Sequence, residues 1–326
     1  MKFKNPPPTM TFNHPVRPRG AGTIVAALFL SVLAAGLCSR ALAADEQTFG
    51  SPNDAVSALV TATTNHDTNA LHAMFGMEGH KLVSPDAVQA AEDFEAFTRR
   101  LTEKTQLTTN ADGSIALELG ADGWPFPIPL VNQDGRWHFD TAAGRTEILH
   151  RRVGMDELGA IDVCRAYVDA QREYASRDRT GDGVLAYAQF LRSSPGMRDG
   201  LFWPAKAGED LSPLGPFVAA AHGEGYRHTA RMLNDEQAPY HGYYFKILTQ
   251  QGKHAAGGKY NYLINGRMIA GFGLVAWPAE WCNTGVMTFI VNQQGKVYQC
   301  NLGKKTAKIA AAMTQFDPDN RWTPVQ

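Results

Sequence analysis

The chain has 326 residues, of which 44% are hydrophobic, and its 31 basic and 32 acidic residues leave a net charge of −1. This length and apolar content predict a globular protein of two domains with a buried core. The balanced charge argues against a nucleic acid as partner, because phosphate binding needs clustered Lys and Arg.

The N-terminus has the pattern of a secretory signal. Arg17 and Arg19 precede an apolar run over residues 21–37, and an Ala-x-Ala site ends at Ala43. This order predicts export to the periplasm or the cell exterior, with cleavage after Ala43 and no transmembrane domain afterwards. The apolar run is 17 residues long, so an uncleaved anchor is the alternative. Removal of residues 1–43 leaves 26 basic and 32 acidic residues, a net charge of about −6.

The next part of the chain is predicted to be helical and then extended. Helices are expected from Ser51-Pro52, over residues 70–75, and from Ser84-Pro85, where capping residues precede apolar positions at helical spacing. Strands with period-two patterning are expected at residues 106–109, 114–119, 128–133 and 136–140. Prolines at every second position from Pro125 to Pro129 predict an extended edge or surface segment, because proline donates no ladder hydrogen bond.

Three helices followed by an antiparallel sheet form a familiar order. Over residues 50–142 this order resembles the cone-shaped architecture of the nuclear-transport-factor-2-like (NTF2-like) superfamily, down to a final hairpin strand with Gly135, Trp137 and Phe139. The resemblance implies a curled antiparallel sheet around a cavity that many members use as a ligand site or active site. We expect residues 44–154 to form this cone-like subdomain.

The second half is predicted to be a helix followed by an antiparallel meander, which makes the fold class α+β. A short helix over residues 145–153 should end at Gly154, and a long one should cover residues 156–176 with Cys164 on its buried face. Residues 193–239 are rich in Gly, Pro and Ser and predict a long loop with one short helix. Strands at residues 243–249, 260–264, 271–277, 286–291 and 297–301 and a helix at 306–315 complete the subdomain 155–326.

Five segments of the chain carry a family resemblance. They are DGWPFPIPLV at 122–131, YVDAQREY at 167–174, DGLFWP at 199–204, YHGYYF at 240–245 and VAWPAE at 275–280. These segments resemble the DUF2950 family of bacterial exported proteins, over residues 49–322. The resemblance implies one exported unit and supplies no catalytic residues.

Residues 178–189 resemble the twelve-residue loop of an EF-hand. Asp178, Thr180 and Asp182 fall at the first three oxygen-ligand positions, and Gly183 falls at the obligatory turn. Gln189 takes the place of the usual bidentate Glu, so the sequence predicts at most a weak calcium site. The alternative is a polar turn after a helix. No other cofactor is expected, because the sequence has no His-x-His, His-Glu-x-x-His or Cys-x-x-Cys motif.

Aromatic residues in the second half could form a surface on which a ligand stacks. The predicted ligand-binding residues are Trp203, Tyr240, His241 and Trp277. The alternative is that these side chains pack in the core, as aromatic residues at strand spacing commonly do.

Three cysteines follow the signal segment, and one disulfide is predicted among them. If residues 271–301 form a meander, Cys282 and Cys300 lie at the same end of the sheet and can be joined, which leaves Cys164 as a buried thiol. The alternative is three reduced cysteines.

The sequence therefore predicts an exported, non-catalytic protein that binds an unknown ligand or an envelope component. The alternative is a periplasmic hydrolase with its site in the N-terminal cone or in a cleft of the 193–239 loop, although no Gly-x-Ser-x-Gly motif is present. A pocket with a carboxylate of shifted pKa beside a His would favour the hydrolase. A dry groove lined by aromatic residues would favour binding.

Overall fold

The structure of the protein is a computed structural model. It describes residues 46–79, 82–205, 208–224, 226 and 239–325. The predicted signal segment, residues 1–43, lies outside the described residues, as does most of the stretch 225–238 within the predicted long loop.

Six helices and sixteen strands are found in these described ranges. The helices are α1 (Pro52–Thr64), α2 (Thr68–Gly79), α3 (Ala87–Glu103), α4 (Thr141–Ala175), α5 (Gly215–Gly223) and α6 (Thr306–Ala312). The strands are β1 (Thr105–Thr109), β2 (Ile115–Leu119), β3 (Trp124–Gln133), β4 (Arg136–Phe139), β5 (Phe190–Arg192), β6 (Gly200–Phe202), β7 (Tyr243–Leu248), β8 (Gln250–Gln251), β9 (Tyr260–Asn261), β10 (Leu263–Ile264), β11 (Arg267–Met268), β12 (Gly273–Pro278), β13 (Thr288–Asn292), β14 (Tyr298–Cys300), β15 (Gln315–Phe316) and β16 (Thr323–Pro324).

The N-terminal part consists of three helices packed on a four-stranded antiparallel sheet in the order β1-β2-β3-β4. The start predicted at Ser51-Pro52 is confirmed, since Ser51 caps α1 by accepting from the backbone N–H of Asp54. The helix predicted from Ser84-Pro85 begins later, at Ala87, because Asp86 is the cap and accepts from two backbone N–H groups of α3. Leu59, Leu117 and Phe139 are fully buried in the core between helices and sheet. The sheet is open, and the structure does not confirm that it curls into an NTF2-like cone.

The proline-rich segment lies within β3 and is an edge on one side only. Residues 124–126 pair with β2, whereas β4 pairs with residues 130–133 and stops before the prolines. Helix α4 packs close to the unpaired side: a Cβ at Gly144 would lie 2.6 Å from Cγ1 of Ile128. Arg151 of the same helix donates a 2.8 Å hydrogen bond to the carbonyl of Pro125. The exposed edge predicted for this segment is therefore covered by a helix.

The prediction of two helices separated at Gly154 is wrong, because a single helix, α4, covers both. It runs without a break for 35 residues and so connects the two predicted subdomains. Glycine costs a helix about 1 kcal/mol relative to alanine. That cost is smaller than the gain from burying one face of the helix, which includes Tyr167 and Tyr174. Cys164 is on this face and fully buried, as predicted.

The C-terminal part is built on a five-stranded antiparallel sheet in the order β16-β14-β13-β12-β7. The predicted meander is confirmed, since β12, β13 and β14 are consecutive neighbours. Leu274 and Ala276 of β12 face the core under α4, and Val275 faces a second core. Both faces of β12 are therefore buried.

Three small sheets surround this centre. Strands β5 and β6 form a parallel pair, β10 and β11 an antiparallel hairpin, and β15, β8 and β9 a three-stranded sheet. The strand predicted at residues 260–264 is thus divided between two sheets. The combination of helices with predominantly antiparallel sheets confirms the predicted α+β class. None of the helices in the described part of the chain combines the length and apolar character needed to cross a membrane.

Candidate functional site

An apolar pocket of about 30 Å³ lies between α4, α5 and the central sheet. Its lining residues are Val163, Ala166, Tyr167, Leu191, Leu214, Phe217, Phe245 and Leu274. Val163 and Ala166 are only half-buried, so the pocket opens beside the surface of α4. Three of the eight side chains are aromatic. The lining suits a short apolar group.

Three polar residues adjoin one side of the pocket. The ring of Tyr240 meets that of Phe217 edge-on, with 5.1 Å between centroids. The Tyr240 hydroxyl donates a 3.1 Å hydrogen bond to Oε2 of Glu224. Nε2 of His241 lies 3.1 Å from the same oxygen. One tyrosine therefore separates the apolar lining from a carboxylate, and we call Glu224, Tyr240 and His241 the polar rim.

The backbone of the polar rim is tied to helix α3. Tyr226 donates a 2.8 Å hydrogen bond from its hydroxyl to Oδ2 of Asp86, the residue that caps α3. The hydroxyl of Tyr226 accepts from the backbone N–H of His241 at 3.3 Å. Burial, reinforced by the Asp86 charge, raises the pKa of Tyr226 and keeps its hydroxyl protonated. The φ of His241 is +45°, a conformation that non-glycine residues seldom adopt.

A buried carboxyl lies behind the rim. Asp156 of α4 is fully buried, and its Oδ1 accepts a 2.6 Å hydrogen bond from the Gln89 side chain. Its Oδ2 has no hydrogen-bond partner among the described residues. Burial raises the pKa of Asp156 from 3.8 to about 7. Gly242 packs directly on this group, because a Cβ there would lie 2.6 Å from Oδ2.

A buried arginine stands near the same carboxyl. Arg152 precedes Asp156 by one helical turn, but its guanidinium donates to Oδ1 of Asn283 at 2.7 Å and to the carbonyl of Leu82. It therefore lowers the pKa of Asp156 through charge alone, an effect smaller than that of burial. Arg152 joins α4 to both the α3 region and the turn after β12.

Glu92 of α3 adds negative charge beside the rim. Partial burial and then the charge of Glu224 raise its pKa, while His241 acts in the opposite direction. Carboxylates that repel one another in this way favour a ligand that brings a hydrogen-bond donor or a positive charge. The rim and the pocket thus place acceptor groups beside an apolar lining.

The structure brings together two of the four predicted ligand-binding residues. Tyr240 and His241 are adjacent in the rim. Trp203 is buried elsewhere, with Arg179 and Arg198 each 5.4 Å from its ring centroid. Trp277 packs against the core on the other face of β12 from the pocket residue Leu274. The four residues do not form one surface.

Sequence reasoning did not identify Glu224, Phe217 or Asp156. Glu224 and His241 are 17 residues apart, and most of the intervening stretch is a predicted loop without periodicity. Asp156 carries no motif, and only its burial against Gly242 distinguishes it. No local pattern in the sequence could have indicated these residues.

The loop with the EF-hand spacing satisfies its own carboxylates. Asp178 accepts hydrogen bonds from the backbone N–H groups of Thr180, Gly181 and Gly183. Asp182 forms an ion pair with Arg267. Gln189 at the twelfth position is turned to the carbonyl of Gly266 at 2.8 Å.

Calcium would therefore compete with the Arg267 guanidinium for Asp182. Within the described ranges, no group of three or more His, Cys, Asp or Glu side chains is arranged to hold a metal ion. Thr180 and Gln189, the other two predicted ligands, are not residues of these four types. The weak calcium site stays a prediction.

The predicted disulfide between Cys282 and Cys300 is absent, and both residues are free thiols. The two strand ends do lie close, since Trp281 donates from its ring N–H to the Asn301 side chain at 3.1 Å. Cys282, however, is exposed in a turn with φ of +66°, whereas Cys300 is buried. Topology brings the segments together, but the side chains point into different environments.

Comparison with known families agrees with the segments identified in the sequence. The model described as "Protein of unknown function (DUF2950)" matches residues 46–325. No curated protein and no solved structure matches the chain. The match covers both predicted subdomains, the pocket and its polar rim, and the chain belongs to the DUF2950 family.

Proposed function

We propose that the protein is an exported, non-catalytic binding protein that holds a small ligand in the apolar pocket and at its polar rim. The observation that carries the proposal is the position of Glu224 relative to the pocket. The ring of the lining residue Phe217 contacts the ring of Tyr240, and the Tyr240 hydroxyl donates a hydrogen bond to Glu224. Apolar lining with a few convergent polar groups is the usual composition of a small-molecule site. The ligand is a free molecule or part of an envelope component.

The two parts of the site make different contributions. Each methylene group that enters the pocket contributes about 0.8 kcal/mol through burial. Glu224 and Glu92 favour a donor or an ammonium group at the rim, because both are acceptors and Glu224 raises the pKa of Glu92. The ligand class is therefore a compact molecule in which an apolar group carries an amine.

Three short probes of equal chain length test the proposal: n-propylamine, n-propanol and propanoate, measured by calorimetry and thermal shift. Propylamine should bind more tightly than propanol, and propanoate should bind least, because of the rim carboxylates. Ala166→Phe places a ring at the pocket mouth and should abolish binding of propylamine. Ala142→Phe makes the same change at an exposed position of α4 and should leave binding intact.

A charge variant separates the rim from the pocket. Glu224→Gln should weaken propylamine binding several-fold and leave propanol binding unchanged, whereas Glu103→Gln at an exposed position of α3 should change neither. A few kcal/mol corresponds to a millimolar Kd. If none of the probes binds wild type saturably at about 10 mM, well above that Kd, the proposal is wrong.

A hydrolase that works at the same place is the second candidate. The pair of His241 and Glu224 at 3.1 Å and the pKa of about 7 for Asp156 favour it, because proton transfer at neutral pH needs such groups. Chromogenic ester, amide and glycoside substrates distinguish the two. If wild type turns over one of these substrates and His241→Gln does not, the protein is a hydrolase and the binding proposal is wrong.

Export and the finer architecture are also proposals. The basic flank, apolar run and Ala-x-Ala site within residues 1–43 support a periplasmic or secreted location. N-terminal sequencing of protein from cells should begin at Ala44, and an intact N-terminus on membranes would contradict cleavage. Helix and strand order over residues 50–142 supports an NTF2-like cone. The mature charge of about −6 disfavours a nucleic acid partner.

A further inference from the structure

Three arginines converge on one carboxylate away from the pocket. Asp210 lies in the loop before α5, and its Oδ1 is 3.3 Å from Nη1 of Arg177. Its Oδ2 forms ion pairs with Arg179 and with Arg198, the latter at 3.4 Å. A single carboxylate thus accepts from three guanidinium groups, each of which can bind two oxygens in parallel.

Arg179 has donor capacity that Asp210 does not use. Its side chain is 2% exposed, and its Nε has no hydrogen-bond partner among the described residues. A buried N–H without an acceptor costs about 1–3 kcal/mol. Trp203 holds this guanidinium and that of Arg198 at 5.4 Å from its ring centroid, so both arginines are positioned by an aromatic side chain as well as by Asp210.

Other carboxylates nearby do not fill this capacity. Asp178 accepts from backbone N–H groups, and Asp199 accepts from Ser194. Glu173 is exposed and lies 3.9 Å from Arg179. The groups aimed at the Asp210 carboxylate are therefore donors only, and Arg177 and Arg198 are open to solvent, with side chains 66% and 43% exposed.

We propose that Arg177, Arg179 and Arg198 form an oxyanion site, for a phosphate or sulfate group, that the Asp210 carboxylate occupies when no ligand is bound. A tetrahedral oxyanion offers more acceptor oxygens than a carboxylate and carries up to two negative charges. It therefore pairs with the three guanidinium groups better than one carboxylate does. The Asp210 backbone stays in place when its carboxylate leaves, because Trp203 donates from its ring N–H to the Asp210 carbonyl at 3.0 Å.

The test measures stabilisation by inorganic phosphate at constant ionic strength, with chloride as the reference anion. Asp210→Ala removes the internal competitor, so the unfolding temperature of this variant should rise saturably with phosphate concentration. Its apparent Kd for phosphate should be roughly tenfold lower than that of wild type, a difference of about 1.4 kcal/mol in binding free energy. Asp162→Ala, which removes an exposed carboxylate paired with Arg165, should respond as wild type does, because its three arginines and Asp210 are unchanged.

A second variant keeps the test valid if Asp210→Ala folds poorly. Arg177→Gln, at the most exposed of the three arginines, should weaken phosphate binding by wild type several-fold without disturbing the core. Vesicles of phosphatidylglycerol, with phosphatidylcholine as control, show whether the phosphate belongs to a lipid: binding that depends on Arg177 assigns the lipid, and a response to free phosphate alone assigns a soluble ligand. If Asp210→Ala binds neither phosphate nor vesicles more tightly than wild type and Asp162→Ala do, or if Arg177→Gln binds phosphate as wild type does, the proposal is overturned.

Discussion

Nε2 of Gln89 on α3 lies 2.6 Å from Oδ1 of Asp156 on α4. Both residues are buried, and 67 positions of sequence separate them. This hydrogen bond connects the N-terminal helices to the helix that supports the central sheet. Among the described residues, Gln89 is the only side chain that forms a hydrogen bond with the Asp156 carboxyl group. Burial makes that carboxyl group hard to ionise.

The first prediction concerns the pH dependence of stability. Asp156 keeps its proton up to about pH 7 in the folded protein, whereas its ordinary pKa is 3.8. Between these values the folded state binds more protons than the unfolded state, so the free energy of unfolding falls as pH rises, by about 1.4 kcal/mol per unit from this group. Above about pH 7 the loss is complete.

Asp156→Asn tests this dependence, because asparagine is neutral and still accepts from Gln89. Denaturant titrations at pH 5 and pH 8 should show a smaller loss of stability in the variant than in wild type. Asp162→Asn, at an exposed position of the same helix, should behave as wild type. Parallel losses in wild type and Asp156→Asn would show that this carboxyl is not the source.

The second prediction compares two glycines. Gly242 has a φ of +71°, and a Cβ there would lie 2.6 Å from Oδ2 of Asp156 and 2.7 Å from Cβ of Thr284. Gly242→Ala should therefore lower the free energy of unfolding by about 2 kcal/mol or more, from strain and overpacking. Gly154→Ala, in open space within α4, should raise it by about 1 kcal/mol. Equal effects measured in urea would contradict the close packing at Gly242.

The third prediction concerns the loop over residues 178–189. Calcium at millimolar concentration should stabilise Arg267→Ala more than wild type, because Arg267 competes for Asp182. Asp182→Ala should show no calcium-dependent rise in unfolding temperature. Identical calorimetric titrations for all three proteins would mean that the loop is a turn only.

The fourth prediction concerns the thiols. Cys282 is exposed and should react rapidly with iodoacetamide in the native protein. Burial raises the pKa of Cys164 to about 12 and also raises that of Cys300, so both should react only after unfolding. Mass spectrometry after alkylation in denaturant without reductant should find three labels on the chain that follows residue 43, one on each of its cysteines. A peptide that links Cys282 to Cys300 would restore the disulfide expected from the sequence.

Local patterns determined much of the secondary structure. Ser51 caps α1 as predicted, because a side-chain oxygen beside a free backbone N–H needs only neighbouring residues. The turn at Asp134-Gly135 is local in the same sense: its φ angles are +52° and +80°, and these residue types tolerate a left-handed backbone. The α+β class and the meander of β12, β13 and β14 follow from patterns of the same short range.

Tertiary structure decided the rest, because the deciding contacts join distant residues. Gly154 does not end α4, since burial on both sides of it outweighs a local propensity of about 1 kcal/mol. The polar rim exists only because the chain returns to place Glu224 beside His241. The pKa of Asp156 depends on burial that no sequence pattern shows. Sequence alone thus determined most of the elements and the family, and packing between elements decided the length of α4 and created the pocket, its rim and the arginine cluster.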